Sequence, residues 1–161
     1  MTQSKQLIYI HGLQSDSGGV KATLLRGLFP GIITPDFKGS LEERMAGLNS
    51  ILHVSNGWTV IGSSFGGLMG ALFTCQNPDQ VDRLVLLAPA LIWPDFALSP
   101  PDPVDVPVVV YQGARDEHIP AQEVRRLAEL VFNNLTFHMV DDDHGLYKTV
   151  HSINWKELIK M

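Results

Sequence analysis

One glycine-rich turn has a residue pattern suited to nucleophilic chemistry. It reads Gly-x-Ser-x-Gly centred on Ser64, follows the apolar run Trp58–Ile61, and precedes a stretch with helical spacing. In a strand-turn-helix of this kind the central serine is strained and its hydroxyl is exposed at the helix N-terminus. Side chains at Gly62 and Gly66 would collide with backbone in so tight a turn. We therefore predict Ser64 as a nucleophile and expect Ser63 to point away from the site.

A serine hydroxyl is inert at neutral pH unless a histidine accepts its proton and a carboxylate orients that histidine. Two later apolar runs end in loops that carry such groups. Asp116 follows the run Val108–Tyr111, and His144 follows the run Leu135–Val140. Because the carboxyl ends of parallel strands meet at one edge of a sheet, these loops should lie beside Ser64. We predict His144 as the base and Asp116 as its orienting acid.

Other assignments of these residues are open from the sequence. Asp116 could instead cap the helix that is predicted to begin at Pro120. His118 is the main rival base, and the run Asp141–Asp143 is either a solvated loop or another source of the acid. Three further histidines fall inside predicted elements, where packing or surface roles are typical: His53, His138 and His151. His138, Asp143 and His144 lack the defined spacing of a metal signature, so no metal site is predicted.

The first apolar run ends in the turn His11-Gly12-Leu13-Gln14-Ser15, which should lie beside the strand that carries Ser64. A carbonyl under attack needs two amide donors for its developing oxyanion. These donors come from the residue after the nucleophile and from this first turn. We predict the backbone N–H groups of Phe65 and Leu13 as the oxyanion hole, and we expect His11 to stabilise its turn.

The elements that position these residues follow from hydropathy. Four runs are apolar without alternation, as in parallel strands that are covered on both faces: Leu7–Ile10, Trp58–Ile61, Leu84–Ala88 and Val108–Tyr111. Two weaker runs predict outer strands: Gly31–Phe37 and Leu135–Val140. Helical spacing appears in five stretches: Val20–Phe29, Leu41–His53, Phe65–Gln76, Pro120–Phe132 and Leu146–Lys160. The alternation predicts an α/β three-layer sandwich with a mostly parallel six-stranded sheet and helices on both faces.

Length and composition limit the remaining possibilities. A chain of 161 residues predicts a single domain over 1–161, and 45% hydrophobic residues exclude disorder as its main state. A net charge of −5 without a basic run argues against a nucleic acid partner. The single cysteine, Cys75, cannot form an internal disulfide, and the apolar run Leu7–Ile10 is too short for a signal or a membrane span. We expect a cytoplasmic protein with no membrane partner.

Residues 89–107 are the exception to the strand-helix alternation. Six of the ten prolines fall there, and proline removes amide donors and fixes φ. We predict an ordered irregular loop over the strand ends, and no helix. A linker between domains is the alternative, but the residues that follow contain too few elements to fold alone.

These motifs together resemble the α/β-hydrolase superfamily. The resemblance extends from the His11-Gly12 turn through Ser64 and the Gly113-x-x-Asp116 loop to His144. The Ser64 turn and the stretch Lys21–Leu25 resemble in particular the small bacterial esterases of the YqiA type. The resemblance implies the strand order 2-1-3-4-5-6, with Ser64, Asp116 and His144 as nucleophile, acid and base, and no cofactor.

Two features differ from many members of that superfamily. We expect no counterpart of the two extra N-terminal strands with which many members begin. The proline-rich loop stands where others have a helical lid, so no separate lid domain is expected. Trp93 and Phe96 are the nearest apolar candidates for lining an acyl pocket. A site without a lid should be open to water and should favour short, soluble acyl groups.

The function that we expect from the sequence is a serine hydrolase that cleaves short-chain carboxylic esters through an acyl-enzyme, with a small-molecule ester as its partner. A thioesterase, or an amide or carbon-carbon bond hydrolase with the same triad, is an alternative. A noncatalytic α/β binding module is another. A nucleotide-binding fold is disfavoured because neither Gly-x-Gly-x-x-Gly nor a P-loop pattern occurs.

Overall fold

Five strands form one parallel sheet in the computed structural model, which describes residues 6–160. The strands are β1 (Gln6–Ile10), β2 (Trp58–Ser63), β3 (Val81–Leu87), β4 (Val108–Gly113) and β5 (Leu135–Val140). Each strand pairs in parallel with the next one along the chain, in the order β1-β2-β3-β4-β5. The outer ends of the predicted domain, residues 1–5 and 161, lie outside the described residues.

The prediction of a six-stranded sheet is wrong, because Gly31–Phe37 does not form a strand. Only Ile33 joins the sheet: its N–H donates to Leu7 O, and Tyr9 N–H donates to Ile33 O, both over 2.9 Å. In a parallel ladder the next donor would be the amide of residue 35, and Pro35 has none. The order 2-1-3-4-5-6 therefore lacks its second strand, and β1 is an edge strand.

Seven α-helices lie within the described residues. They are α1 (Val20–Leu28), α2 (Leu41–Leu52), α3 (Phe65–Gln76), α4 (Pro94–Ala97), α5 (Ala121–Val131), α6 (Tyr147–Ser152) and α7 (Trp155–Ile159). Helices α1, α6 and α7 bury their apolar residues against one face of the sheet, and α2, α3, α4 and α5 against the other. The fold is thus an α/β fold in which helices flank a parallel sheet on both faces. No helix between residues 6 and 160 combines the length and the apolar character needed to cross a membrane.

The predicted C-terminal helix Leu146–Lys160 is two helices, α6 and α7. The chain is extended at Ile153, and the Asn154 side chain accepts a hydrogen bond from Glu157 N–H. An asparagine in this position caps the start of a new helix, so the helical spacing of the stretch continues while the helix axis does not.

Residues 89–107 contain one helical turn, α4, so the prediction of no helix there is wrong at residues 94–97. Pro94 is its first residue, a position where the missing N–H of proline removes no helical hydrogen bond. The segment is also packed into the core, because Phe96 is fully buried and Val104 exchanges backbone hydrogen bonds with Val131 and Asn133. It is an ordered segment, as expected, and part of the hydrophobic core.

Candidate active site

Ser64 lies at the sharp turn between β2 and α3. Its φ of 55° and ψ of −116° are strained for a residue with a side chain. The turn is this tight because α3 begins directly against β1: a Cβ atom on Gly66 would lie 2.1 Å from Ile10 O, and one on Gly62 would lie 2.4 Å from Gly66 O. The glycines thus allow the close approach that exposes the Ser64 side chain at the sheet edge.

Ser64, His144 and Asp116 are joined by two hydrogen bonds. The Ser64 hydroxyl donates to His144 Nε2 over 3.1 Å, and His144 Nδ1–H donates to Asp116 Oδ2 over 2.7 Å. The carboxylate accepts a hydrogen bond from Nδ1–H, so the proton of the neutral imidazole stays on Nδ1. Nε2 is then free to accept a hydrogen bond from the serine hydroxyl. The structure therefore brings together the three side chains that the sequence predicts as nucleophile, base and acid.

The carboxylate of Asp116 is fully buried and has four donors. The backbone amides of His118 and Ile119 donate to Oδ1 over 2.8 Å each, and Gln112 Nε2 and His144 donate to Oδ2. Burial alone would raise the pKa of Asp116, but the hydrogen bonds from His144, Ile119, His118 and Gln112 outweigh it and lower the pKa below its usual value. Asp116 does not cap α5, because the N-cap of that helix is Pro120 and no side chain caps it. Its carboxylate instead holds the turn before α5 and also accepts from His144.

The run Asp141–Asp143 has other partners. Asp142 is buried and accepts hydrogen bonds from the Thr149 amide and hydroxyl, which hold the loop to α6. Asp141 forms an exposed ion pair with Arg115 over 2.9 Å. Asp143 accepts from the amide of a neighbouring glycine. None of these contacts involves the ring of His144, so Asp116 is the carboxylate that orients it.

The rival histidines have no hydrogen bond to Ser64. The His118 ring lies edge-on to the His144 ring at 5.0 Å between centroids, on the side of the cavity. His11 is buried, its Nδ1–H donates to Gly12 O over 2.7 Å, and its Nε2 accepts from Phe37 N–H over 2.9 Å. The expectation that His11 stabilises its turn is therefore confirmed. The others contact groups elsewhere: His53, His138 and His151.

The turn after β1 packs against Ser64. A Cβ atom on Gly12 would lie 3.5 Å from Ser64 Cβ, and Leu13 lines the same cavity as Ser64. Within residues 6–160 neither the Leu13 nor the Phe65 backbone N–H donates a hydrogen bond. An amide that serves in an oxyanion hole must be free of other partners, and both predicted amides meet that one condition within the described residues.

A cavity of about 480 Å³ opens beside Ser64. Its walls include the following side chains and glycines: Leu13, Val20, Lys21, His118, Gly145 and Tyr147. Ser63 also contributes to the lining, but it is buried and its side chain is hydrogen-bonded with Tyr9. Only the Ser64 hydroxyl contacts His144.

The pocket prediction for Phe96 is wrong. Phe96 is fully buried and packs against the ring of Phe132, because α4 turns its apolar side toward the core. Trp93 packs edge-on against Phe65 at 5.1 Å between ring centroids and is not among the cavity-lining residues. The cavity lies instead between the β1 turn, the start of α1 and the His144 loop.

Three residues near the site were missed by the sequence reasoning: Gln112, Lys21 and Tyr147. Gln112 is a buried amide in the otherwise apolar strand β4, and that contrast is a signal that could have identified it. Lys21 is a cation in the first turn of a helix, where the helix dipole disfavours positive charge. Tyr147 has no distinctive sequence signal.

Comparison with known proteins gives a structural answer. No protein-family model matches the sequence, and no curated protein does. Among solved structures, mouse alpha/beta hydrolase domain-containing protein 10 has a TM-score of 0.83 at 18% identity, over 98% of this chain and 90% of that chain. A protein from Xanthomonas campestris pv. campestris, described as a hydrolase of the alpha/beta superfamily, has a TM-score of 0.77 at 25% identity, over 92% of this chain and 91% of that chain. Monoacylglycerol lipase from Paleococcus ferrophilus has a TM-score of 0.72 at 18% identity, over 96% and 90%.

These structures match between 92% and 98% of this chain. The chain has the same parallel sheet, flanked by helices, in a minimal five-stranded version. It therefore has the α/β-hydrolase fold.

Proposed function

We propose that this protein is a serine hydrolase that cleaves carboxylic esters through an acyl-enzyme intermediate. The observation that carries the proposal is the continuous hydrogen-bonded series from Ser64 Oγ through the His144 ring to the buried Asp116 carboxylate. This is the arrangement that turns a serine hydroxyl into a nucleophile.

In the first half-reaction Ser64 Oγ attacks the ester carbonyl carbon while its proton passes to His144 Nε2. The carbonyl oxygen becomes an oxyanion and accepts hydrogen bonds from the Leu13 and Phe65 amides. The bond from carbon to the alcohol oxygen then breaks, and the alcohol leaves with the proton from His144 Nε2. Asp116 stabilises the imidazolium that exists between the two proton transfers and fixes the tautomer of the ring.

In the second half-reaction a water molecule takes the place of the alcohol. It transfers a proton to His144 Nε2 and attacks the acyl carbon, and the bond to Ser64 Oγ breaks with return of that proton. The products are the carboxylic acid and the free enzyme. No step in this sequence requires a cofactor.

The proposal extends to short acyl chains. The cavity beside Ser64 has a volume of about 480 Å³, near the lower end of the range for small-molecule sites. One of the similar solved structures is a monoacylglycerol lipase. The proposal for short acyl chains is not based on the substrate of that enzyme. Thioesters react through the same steps, and a substrate panel decides between the two acyl classes.

Labelling with a fluorophosphonate tests the proposal directly, because only an activated serine forms the stable phosphonyl adduct. We expect intact-mass and peptide analysis to place one adduct on Ser64. Ser64→Ala should remove the adduct and reduce kcat for 4-nitrophenyl butanoate by up to ~10⁶-fold, since replacing a triad nucleophile costs up to about that factor.

Ser50→Ala is a suitable control because Ser50 lies exposed on α2 and does not line the cavity. It should react and turn over like the unmodified protein. An adduct that persists in Ser64→Ala, or ester hydrolysis that persists at the original rate, would contradict the assignment.

A further inference from the structure

Lys21 is a lysine in the cavity of Ser64 that forms no ion pair within the described part of the chain. Its side chain lines the cavity, and Nζ lies 5.0 Å from the centroid of the Tyr147 ring, a residue that also lines it. None of the ion pairs within residues 6–160 involves Lys21. Burial lowers the pKa of Lys21, and the carboxylates of Asp142 and Asp143 oppose this shift.

The cavity wall differs in composition from the protein as a whole. The chain has a net charge of −5, yet no aspartate or glutamate is among the described residues that line the cavity, and Lys21 is the one lysine or arginine among them. A neutral ester gains nothing from such a cation. An anionic group beside the scissile bond would pair with it in a partly desolvated site, where charge-assisted hydrogen bonds are strong.

The position of Lys21 is not explained by the stability of α1. The helix begins at Val20 and has no acidic residue in its first turn, and its N-cap Gly19 makes no side-chain capping bond. A lysine there adds positive charge to the positive end of the helix dipole, which costs stability. Val20, the first residue of α1, also lines the cavity. The N-terminus of the helix therefore lies at the cavity wall and adds to the positive potential there.

We infer that Lys21 selects esters that carry an anionic group, such as a carboxylate, on the acyl or the alcohol part. The inference rests on the proposed function, because it describes the substrate class of the Ser64 site. Tyr147 positions the ammonium group through its ring face, and the substrate anion replaces part of its hydration.

Two matched substrate pairs test the inference. In the acyl arm, 4-nitrophenyl hemiglutarate is compared with 4-nitrophenyl pentanoate. In the alcohol arm, 4-carboxyphenyl butanoate is compared with 4-carbamoylphenyl butanoate. For each pair the measured quantity is the ratio of kcat/KM for the anionic ester to that for the neutral ester.

We expect the ratio in at least one arm to fall roughly tenfold in Lys21→Met, since a hydrogen bond to a charged group corresponds to about that factor. Lys21→Arg retains the charge and should restore most of the ratio. Added salt should reduce the ratio in the unmodified protein, because the site is open to water. Lys156→Met, at an exposed lysine of α7 outside the cavity, makes the same change in net charge and should leave the ratio unaltered.

Circular dichroism melts of the lysine variants show whether each one folds. A ratio in Lys21→Met equal to that of the unmodified protein in both arms would overturn the inference, as would an equal fall in Lys156→Met. Failure of the proposed function has a different signature, since in that case the neutral esters are not hydrolysed or are hydrolysed equally by Ser64→Ala.

Discussion

The Asp116 carboxylate is fully buried and negatively charged. Each of the four hydrogen bonds that it accepts would be weaker if that charge were lost. The donors come from the turn after β4, from the strand itself and from the His144 ring. Positioning and charge therefore depend on each other at this residue. A neutral amide in its place could accept from the turn but would present an N–H group to His144.

We expect Asp116→Asn to lower kcat by roughly 10⁴-fold, because an amide favours the wrong histidine tautomer. The hydrolysis rate of a 4-nitrophenyl ester measures this effect. Asp105→Asn is a suitable control, since Asp105 lies exposed before β4 and outside the cavity. A loss of tenfold or less in Asp116→Asn would argue that another carboxylate orients His144.

The same substitution should make stability depend less on pH. The native pKa of Asp116 is below its usual value, so the ionised carboxylate stabilises the fold above the unfolded pKa of about 3.9, and this contribution disappears as pH falls through the native pKa. The difference in free energy of unfolding between the unmodified protein and Asp116→Asn should therefore shrink toward acid. Urea unfolding at several pH values between about 3 and 7 measures it. A difference that stays constant over this range would contradict the assigned charge state.

Gln112 is a second buried polar residue that helps to hold the Asp116 carboxylate in place. Its Nε2 donates to Asp116 Oδ2 and to Gly113 O, whereas its Oε1 is buried without a hydrogen-bond partner within the described residues. A buried acceptor without a partner costs about 1–3 kcal/mol. The donor contacts with the Asp116 loop explain why an amide is found in this apolar strand in spite of that cost.

At the scale of elements, the contact between α3 and β1 decides where Ser64 stands. Gly66 allows the first turn of α3 to lie directly against Ile10 O and His11 O, so the end of β1 and the start of α3 form one backbone contact. Helix α3 is buried along most of its length, with β2 and β3 beside it. The position of the nucleophile is thus fixed by backbone packing and does not depend on its own side-chain contacts.

Gly66→Ala should lower the free energy of unfolding by roughly 3 kcal/mol, because its Cβ atom would lie 2.1 Å from Ile10 O and overpacking against rigid backbone is costly. Gly27→Ala is the matched control. Gly27 is exposed in α1 and a Cβ atom there would meet nothing within 4 Å, so the substitution should stabilise the protein by roughly 0.5–1 kcal/mol. Urea unfolding of both variants measures these effects. Equal effects of the two substitutions would contradict the packing argument.

At the scale of the whole molecule, residues 89–107 are anchored to the core by a few buried residues, although others in the segment are exposed. Ala90 N–H donates to Ser64 O over 2.9 Å, Phe96 is fully buried, and Val104 exchanges backbone hydrogen bonds with the C-terminal end of α5 and the residues just after it. A segment with these contacts would have to lose core packing before it could move. The cavity beside Ser64 is therefore open to solvent without any rearrangement of this segment.

We expect no rise in rate when the ester substrate forms micelles, because residues 89–107 do not line the cavity and so cover no apolar surface there that an interface could expose. Preference for longer acyl chains should also be weak, since a small open cavity buries few methylene groups at ~0.8 kcal/mol each. Acetyl, butanoyl and decanoyl esters of one alcohol, assayed below and above their micellar thresholds, measure both properties. An abrupt rise at the threshold, or a strong preference for decanoyl esters, would require the segment to move as a lid.

Much of this organisation is determined by the sequence alone. Helix α3 and strand β5 begin and end where their periodicity predicts, and the strand cores are found as expected because continuous apolar runs have few alternatives to a covered parallel sheet. The meeting of Ser64, Asp116 and His144 could be predicted for the same reason. In a parallel α/β sheet, chain order and strand direction already bring the carboxyl ends of the strands to one edge.

Other features depend on contacts between distant segments, which local patterns do not encode. Pro35 ends the pairing of the predicted strand with β1, because the next acceptor in the ladder is Tyr9 O and Pro35 has no N–H to donate to it. Phe96 is a core residue and not a pocket residue because α4 turns it toward Phe132. Lys21 meets Tyr147 and the Ser64 cavity because α1 and α6 pack side by side on one face of the sheet. Hydropathy and turn chemistry act over a few residues and thus determine the elements, whereas the composition of the cavity wall is decided by tertiary packing.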